Sequence, residues 1–206
     1  MATTSAQLFH TLQNRFIRLD RTRLRVDKIF AEGKIVRFDI EQVYSGIYVE
    51  AFVSFERFIE DLFLGYVVGK VSMPTSRVKA KMSFPSALVG EEVVFAGNSY
   101  VDWIPFERTT DRAQIFFKDG KPFSTLTKPQ KEMLKELHRV RNALAHRSDH
   151  SIDVFTRLVV GSASLSPAER KPAGFLRSIF RVSPKQTRLE NYLFEMLTIA
   201  RDLSSY

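Results

Sequence analysis

The chain has 206 residues, 44% of them hydrophobic and 26% charged, the composition of a globular protein rather than a disordered or fibrous one. Its 31 Lys and Arg against 23 Asp and Glu leave a net charge of +8, which points to an anionic partner without choosing among nucleic acid, membrane surface and acidic protein. There is no cysteine, so disulfide frameworks, thiolate metal sites, cysteine nucleophiles and thiol switching are excluded together.

Residues 5 to about 32 place Leu8, Leu12, Phe16, Leu19, Val26 and Phe30 at spacings of three, four and seven, the pattern of an amphipathic helix. Thr4 or Ser5 can cap its start and Gly33 can end it. Residues 39 to about 68 repeat the pattern with Val43, Ile47, Ala51, Phe55, Phe58, Leu62 and Tyr66, which predicts a long core helix. Its Phe residues, at helical spacing, read as core rather than as stacking platforms for bases. From 69 to 105 the periodicity fails among Pro74, Pro85, Gly90, Gly97 and Pro105, and the runs Ala87-Leu88-Val89 and Val93-Val94-Phe95 look β-like. The expectation there is an irregular insertion at about 70–104 with room for a short hairpin.

Pro105 suits the first turn of a helix reaching to about 118, which Asp119-Gly120 then breaks. Thr127-Lys128-Pro129-Gln130 reads as a capped start, with Thr at the cap and Gln three residues on, for a helix through Leu134, Leu137, Val140 and Leu144 to about 147. A further helix is expected over 151–160, a loop over 161–186, and a closing helix over 187–203 with Leu189, Tyr192, Leu193 and Met196 facing inward. No apolar run approaches the roughly 20 residues of a spanning helix, and the start shows no basic-then-apolar signal pattern. The expectation is a single all-α domain over 1–206, a helical bundle, located in the cytoplasm and without a membrane partner.

The charge is concentrated: residues 128–188 hold 13 basic and 5 acidic residues, a net +8 equal to that of the whole chain. Three of the four histidines, His138, His146 and His150, fall in or just after the helix that opens this segment. His138, Asn142 and His146 are each four residues apart and make one stripe. Arg141 lies five residues before His146, about 140° away around the helix. By that angle Arg and His diverge within one copy, and two copies packed across a two-fold axis would bring both pairs into a shared cleft. A histidine can take the proton of an RNA 2′-hydroxyl or protonate the leaving 5′-oxygen, because its ordinary pKa lies near neutrality. A guanidinium can hold the scissile phosphate as charge builds on it, and Asn142 can orient either partner.

Arg141-Asn142-Ala143-Leu144-Ala145-His146 resembles the signature of the HEPN superfamily: an Arg, a polar residue, three intervening positions and a His near the end of a late helix. Asp102-Trp103 with Pro105, and Gly174-Phe175-Leu176-Arg177 before the last helix, are similar to its RiboL-PSP-HEPN branch. The resemblance implies an all-α HEPN-like bundle, homodimerisation through the motif helix, and metal-independent endoribonuclease activity in a toxin or antiviral-defence role. Arg141, Asn142 and His146 take the catalytic roles, no cofactor is required, and a separately encoded antitoxin or sensor protein would restrain the activity.

His138, Arg139 and Arg147 around the motif, with Lys171, Arg177 and Arg181 in the basic run that follows, are the candidate RNA contacts. A surface position is the simpler reading of His138. Two other readings stay open: a non-catalytic helical module that binds RNA or an acidic protein, and a metal-dependent hydrolase using His146 and His150. The second is weakened by Ser148-Asp149, which is expected to interrupt the helix between them, and by the lack of a firm third ligand.

Overall fold

A computed structural model describes residues 3–72, 77–146 and 148–206. The protein is all-α. Eight α-helices are found among the described residues: α1 Ser5–Ala31, α2 Arg37–Val67, α3 Ala87–Phe95, α4 Phe106–Phe116, α5 Lys128–Ala145, α6 Asp149–Phe155, α7 Pro172–Arg177 and α8 Arg188–Ser204. Short 3-10 turns at Lys118–Gly120 and Phe123–Thr125, a π-helical continuation of α6 at Thr156–Val160, and four short strands are also present: β1 Thr3–Thr4 pairs in parallel with β2 Val71–Ser72, and β3 Ile179–Arg181 pairs antiparallel with β4 Gln186–Thr187. No helix among the described residues is long and apolar enough to cross a membrane.

Three helices begin with the same reciprocal box. The backbone N–H of Thr4 donates to Gln7 Oε1 at 2.8 Å while Thr4 Oγ1 accepts from the Gln7 N–H at 3.1 Å. Thr127 with Gln130 opens α5 in this way, and Thr187 with Glu190 opens α8. Each box satisfies two backbone donors that the first turn leaves without partners.

Two expected irregular stretches contain helix. The β-like runs Ala87–Val89 and Val93–Phe95 belong to one helix, α3, so the hairpin expected there is replaced by helix. Ser86 caps it by accepting from the Val89 N–H at 3.2 Å, and Ala96 ends it in the left-handed region at φ 50°. Tertiary packing overrides the strand preference of Val and Phe here: Gly90 and Val94, one turn apart, are both buried. The segment 161–186, expected as a loop, holds α7 and the β3–β4 hairpin. Gly174 lets α7 lie against the preceding turn, since a Cβ at that position would come within 2.1 Å of the Ala168 carbonyl oxygen.

The chain forms two compact units. The first comprises the chain up to Gln13, Phe55–Lys135 and Leu197–Tyr206. Its core is aromatic: the ring of Phe63 lies 5.1 Å from Trp103, 5.2 Å from Phe117 and 5.0 Å from Phe123. The one polar atom of Trp103 is satisfied, its Nε1–H donating to Glu60 at 2.7 Å. Ser5 Oγ donates to the Ser204 carbonyl at 2.7 Å, joining the start of α1 to the end of α8.

The second unit, Asn14–Ser54 and Glu136–Met196, carries the motif. Its central polar feature is Arg23, whose side chain is 7% exposed and donates to Asp20, Asp27 and Glu190 at 2.8–2.9 Å. Burial works against the charge of Arg23, but its bonds to Asp20 and Tyr44 prevail and push its pKa further up. Tyr44 donates to Asp27 at 2.9 Å. Burial, then this bond, raises the Tyr44 pKa. Phe155 of α6 meets Phe175 of α7 edge-on at 5.3 Å.

Candidate active site

Leu137, Val140, Ala143 and Leu144 of α5 are buried, a stripe at spacings of three and four. That packing turns the polar residues of the motif outward, with His138, Asn142 and Arg141 half-buried and His146 exposed. The helix ends at Ala145, two residues short of the expected 147. His146 occupies the terminal turn, its N–H still donating to the Asn142 carbonyl at 3.0 Å.

Arg141 Nη1 is 3.0 Å from His146 Nε2, so the two groups meet within one copy of the chain. This corrects the divergence expected from the 140° separation. Helical angles locate Cβ atoms, whereas the guanidinium sits at the end of a long, flexible stem and His146 sits at the fraying end of the helix. Arg141 Nη1 also donates to Asn142 Oδ1 at 3.1 Å, and Asn142 Nδ2 lies 3.2 Å from His138 Nε2.

The arginine sets the polarity of this chain. A guanidinium only donates, so His146 Nε2 accepts and the imidazole carries its proton on Nδ1. By the same rule Asn142 turns Oδ1 toward Arg141, which leaves Nδ2 to donate to His138 Nε2. His138 is not a simple surface residue: its ring stacks on Phe52 of α2 at 6.3 Å with an interplanar angle of 21°. One residue earlier, Tyr48 donates its hydroxyl to the Leu137 carbonyl at 2.7 Å.

Phe52 and Tyr48 are the support that sequence reasoning missed. Their signal was present, because Tyr44, Tyr48 and Phe52 stand four apart on α2 and form an aromatic stripe.

The other candidate RNA contacts are distributed over the unit. Arg139 is half-buried on α5, Lys171 is exposed at the start of α7, Arg177 is half-buried at its end, and Arg181 is exposed on β3. Arg147 lies outside the described residues. His146 and His150 stand on either side of a break at Ser148, which caps α6 by accepting from the Ser151 N–H, so they are not a pair on one continuous helix. Among the described residues no group of three or more His, Asp and Glu side chains could hold a metal ion.

Geometrically, the cluster supplies a proton acceptor at His146 Nε2 and a fixed positive charge beside it. We find no match to the chain among protein-family models, curated proteins or solved structures.

Proposed function

We propose that the chain is a HEPN-type, metal-independent endoribonuclease. The observation that carries this reading is the 3.0 Å contact between Arg141 Nη1 and His146 Nε2, with Asn142 bonded to the same guanidinium nitrogen. In the proposed reaction the 2′-oxygen attacks the adjacent phosphorus, His146 Nε2 takes the 2′-hydroxyl proton, and the phosphorus–5′-oxygen bond breaks. The products are a 2′,3′-cyclic phosphate and a 5′-hydroxyl that receives a proton. Arg141 holds the non-bridging oxygens as their charge grows, and Asn142 orients the guanidinium.

One imidazole that has just accepted a proton does not also serve as a separate acid on the opposite side of the phosphorus. A homodimer through α5 supplies a second His146, which acts as the acid in its protonated form, released from its own Arg141, and gives that proton to the leaving 5′-oxygen; the two-fold arrangement is common among oligomers. The net +8 of residues 128–188 suits an anionic partner, which in this reading is the RNA backbone. The reading includes action in the cytoplasm, in a toxin or defence role, under a separately encoded antitoxin or sensor.

The test is cleavage of a mixed set of labelled RNAs in excess EDTA by the wild-type protein and by His146→Ala and Arg141→Ala variants of equal folded content. Cleavage by the wild type alone, leaving cyclic phosphate ends, is the expected result. Equal background in all three overturns the nuclease reading for these substrates and favours a non-catalytic RNA-binding module, whose affinity falls steeply with salt.

A further inference from the structure

Arg177, the last residue of α7, places its guanidinium 4.7 Å over the ring of Phe30 and 5.8 Å from that of Tyr44. Two clefts share it: one of about 360 Å³ that also includes Arg37 and Glu169, and one of about 400 Å³ that includes Arg23, Asp27, Lys185 and Glu190. The acids in both are already engaged. Asp27 accepts from Arg23 and Tyr44, Glu190 accepts from Arg23 and Thr187, and Glu169 accepts from Ser166. Arg37 is held by Glu41 at 2.6 Å. Among the described residues no carboxylate forms an ion pair with Arg177 or Lys185.

A guanidinium stacked on an aromatic ring keeps its N–H groups in plane and free at the edge, a fork that matches two oxygens of one phosphate. An extended acidic protein face would bring carboxylates against Asp27, Glu169 and Glu190. A single phosphate is small enough to engage the guanidinium edge without spanning these acids. We propose that Arg177, flanked by Lys185, binds a backbone phosphate of an RNA strand, at a subsite separate from the Arg141–His146 cluster. The proposal rests on the reading of the chain as an RNA-cleaving protein and extends it to the path of the strand. Tyr44 lies beside Arg177 and Phe52 lies under His138; these two rings are eight residues apart on α2, about 12 Å along its axis. A strand anchored at Arg177 therefore reaches the motif within a few nucleotides.

The experiment measures binding of a labelled single-stranded RNA of about twelve nucleotides across a salt series, in the full chain carrying His146→Ala so that nothing is cut. Arg177→Gln is expected to weaken binding about tenfold and to reduce the salt slope by about one, and Lys185→Gln to weaken it about threefold. Arg177→Lys is expected to keep the slope and lose affinity, because the charge remains and the planar fork does not. Wild-type affinity and slope in both glutamine variants overturn the proposal. Should Arg177→Gln fail to fold, exposed Lys185 decides, and an unchanged slope in Lys185→Gln counts against the subsite. Displacement of RNA by poly-glutamate that depends on Arg177 also overturns it and reassigns the surface to an acidic protein. The two readings separate cleanly. A wild type that cuts RNA while Arg177→Gln binds normally removes the subsite alone, whereas a wild type that cuts nothing while Arg177→Gln loses affinity removes the nuclease alone.

Discussion

Arg141 and His146 are five residues apart, on a helix that ends between them, and their side chains meet at 3.0 Å. The contact needs a neutral imidazole, since protonated His146 would set donor against donor. In the proposed reaction a phosphate that draws the guanidinium away would free the Nε2 lone pair for the 2′-hydroxyl proton.

Arg141→Lys follows from that geometry. Lysine keeps the charge but not the planar two-nitrogen edge that can hold two phosphate oxygens while one nitrogen stays beside His146, so it is expected to restore little of the activity lost in Arg141→Ala. Single-turnover cleavage rates of the two variants, both expected about 10²-fold or more below wild type, check it. A lysine variant close to wild type would reduce Arg141 to a point charge.

Asn142→Ala removes the bonds to Arg141 and His138 together while leaving the helix a better former. Cleavage is expected to fall roughly tenfold with a stability change within about 1 kcal/mol, separating orientation from folding. Paired measurements of rate and of urea unfolding test this. Loss of stability without loss of rate would make Asn142 structural.

Arg23→Met takes away the cation shared by Asp20, Asp27 and Glu190. Removal of one partner from a buried cluster costs about 3–5 kcal/mol; with Asp20 and Asp27 about a third or more exposed, roughly 2 kcal/mol is the expected loss in urea unfolding.

Gly174→Ala is expected to be among the most damaging single changes. Its Cβ would sit 2.1 Å from the Ala168 oxygen and 2.9 Å from its carbonyl carbon, both backbone atoms that move only with the chain. A loss of about 3 kcal/mol or more follows from overpacking of that kind, readable as a lower thermal midpoint.

Alkaline stability has a definite sign. Burial raises the pKa of Tyr44, Tyr48 and Tyr192 above the ordinary 10.0, with Asp27 adding to the effect at Tyr44 and Glu136 at the other two. The folded chain thus keeps protons that the unfolded chain releases. The stability these groups contribute is complete below about pH 10 and is lost as pH rises toward their folded values. Unfolding midpoints measured from pH 9 to 12 are expected to fall, and less steeply in Tyr48→Phe.

Much of this fold is legible in the chain. Spacings of three and four announce α1, α2, α5 and α8, and three Thr-x-x-Gln or Thr-x-x-Glu boxes mark where three of them begin. α3 is hidden because Val93, Val94 and Phe95 favour strands when taken alone, and only the packing of Gly90 and Val94 decides otherwise. α7 is a single short turn-and-a-half among Pro, Lys and Arg, too brief to show a period. At the motif, residue types and spacing identify the participants, but the meeting of Arg141 with His146 depends on rotamers and on a helix end, neither of which periodicity encodes.

Tyr48 and Phe52 grip α5 at consecutive residues in different ways: a hydroxyl on the Leu137 carbonyl and a ring face against His138. A hydroxyl aimed at one backbone oxygen resists sliding along the axis, and a flat ring against a flat ring resists rolling about it. Held against both motions one turn before Arg141, the motif keeps a single bearing in the lone chain. A second copy docking on this helix would therefore meet a surface already cut to shape rather than one it must mould.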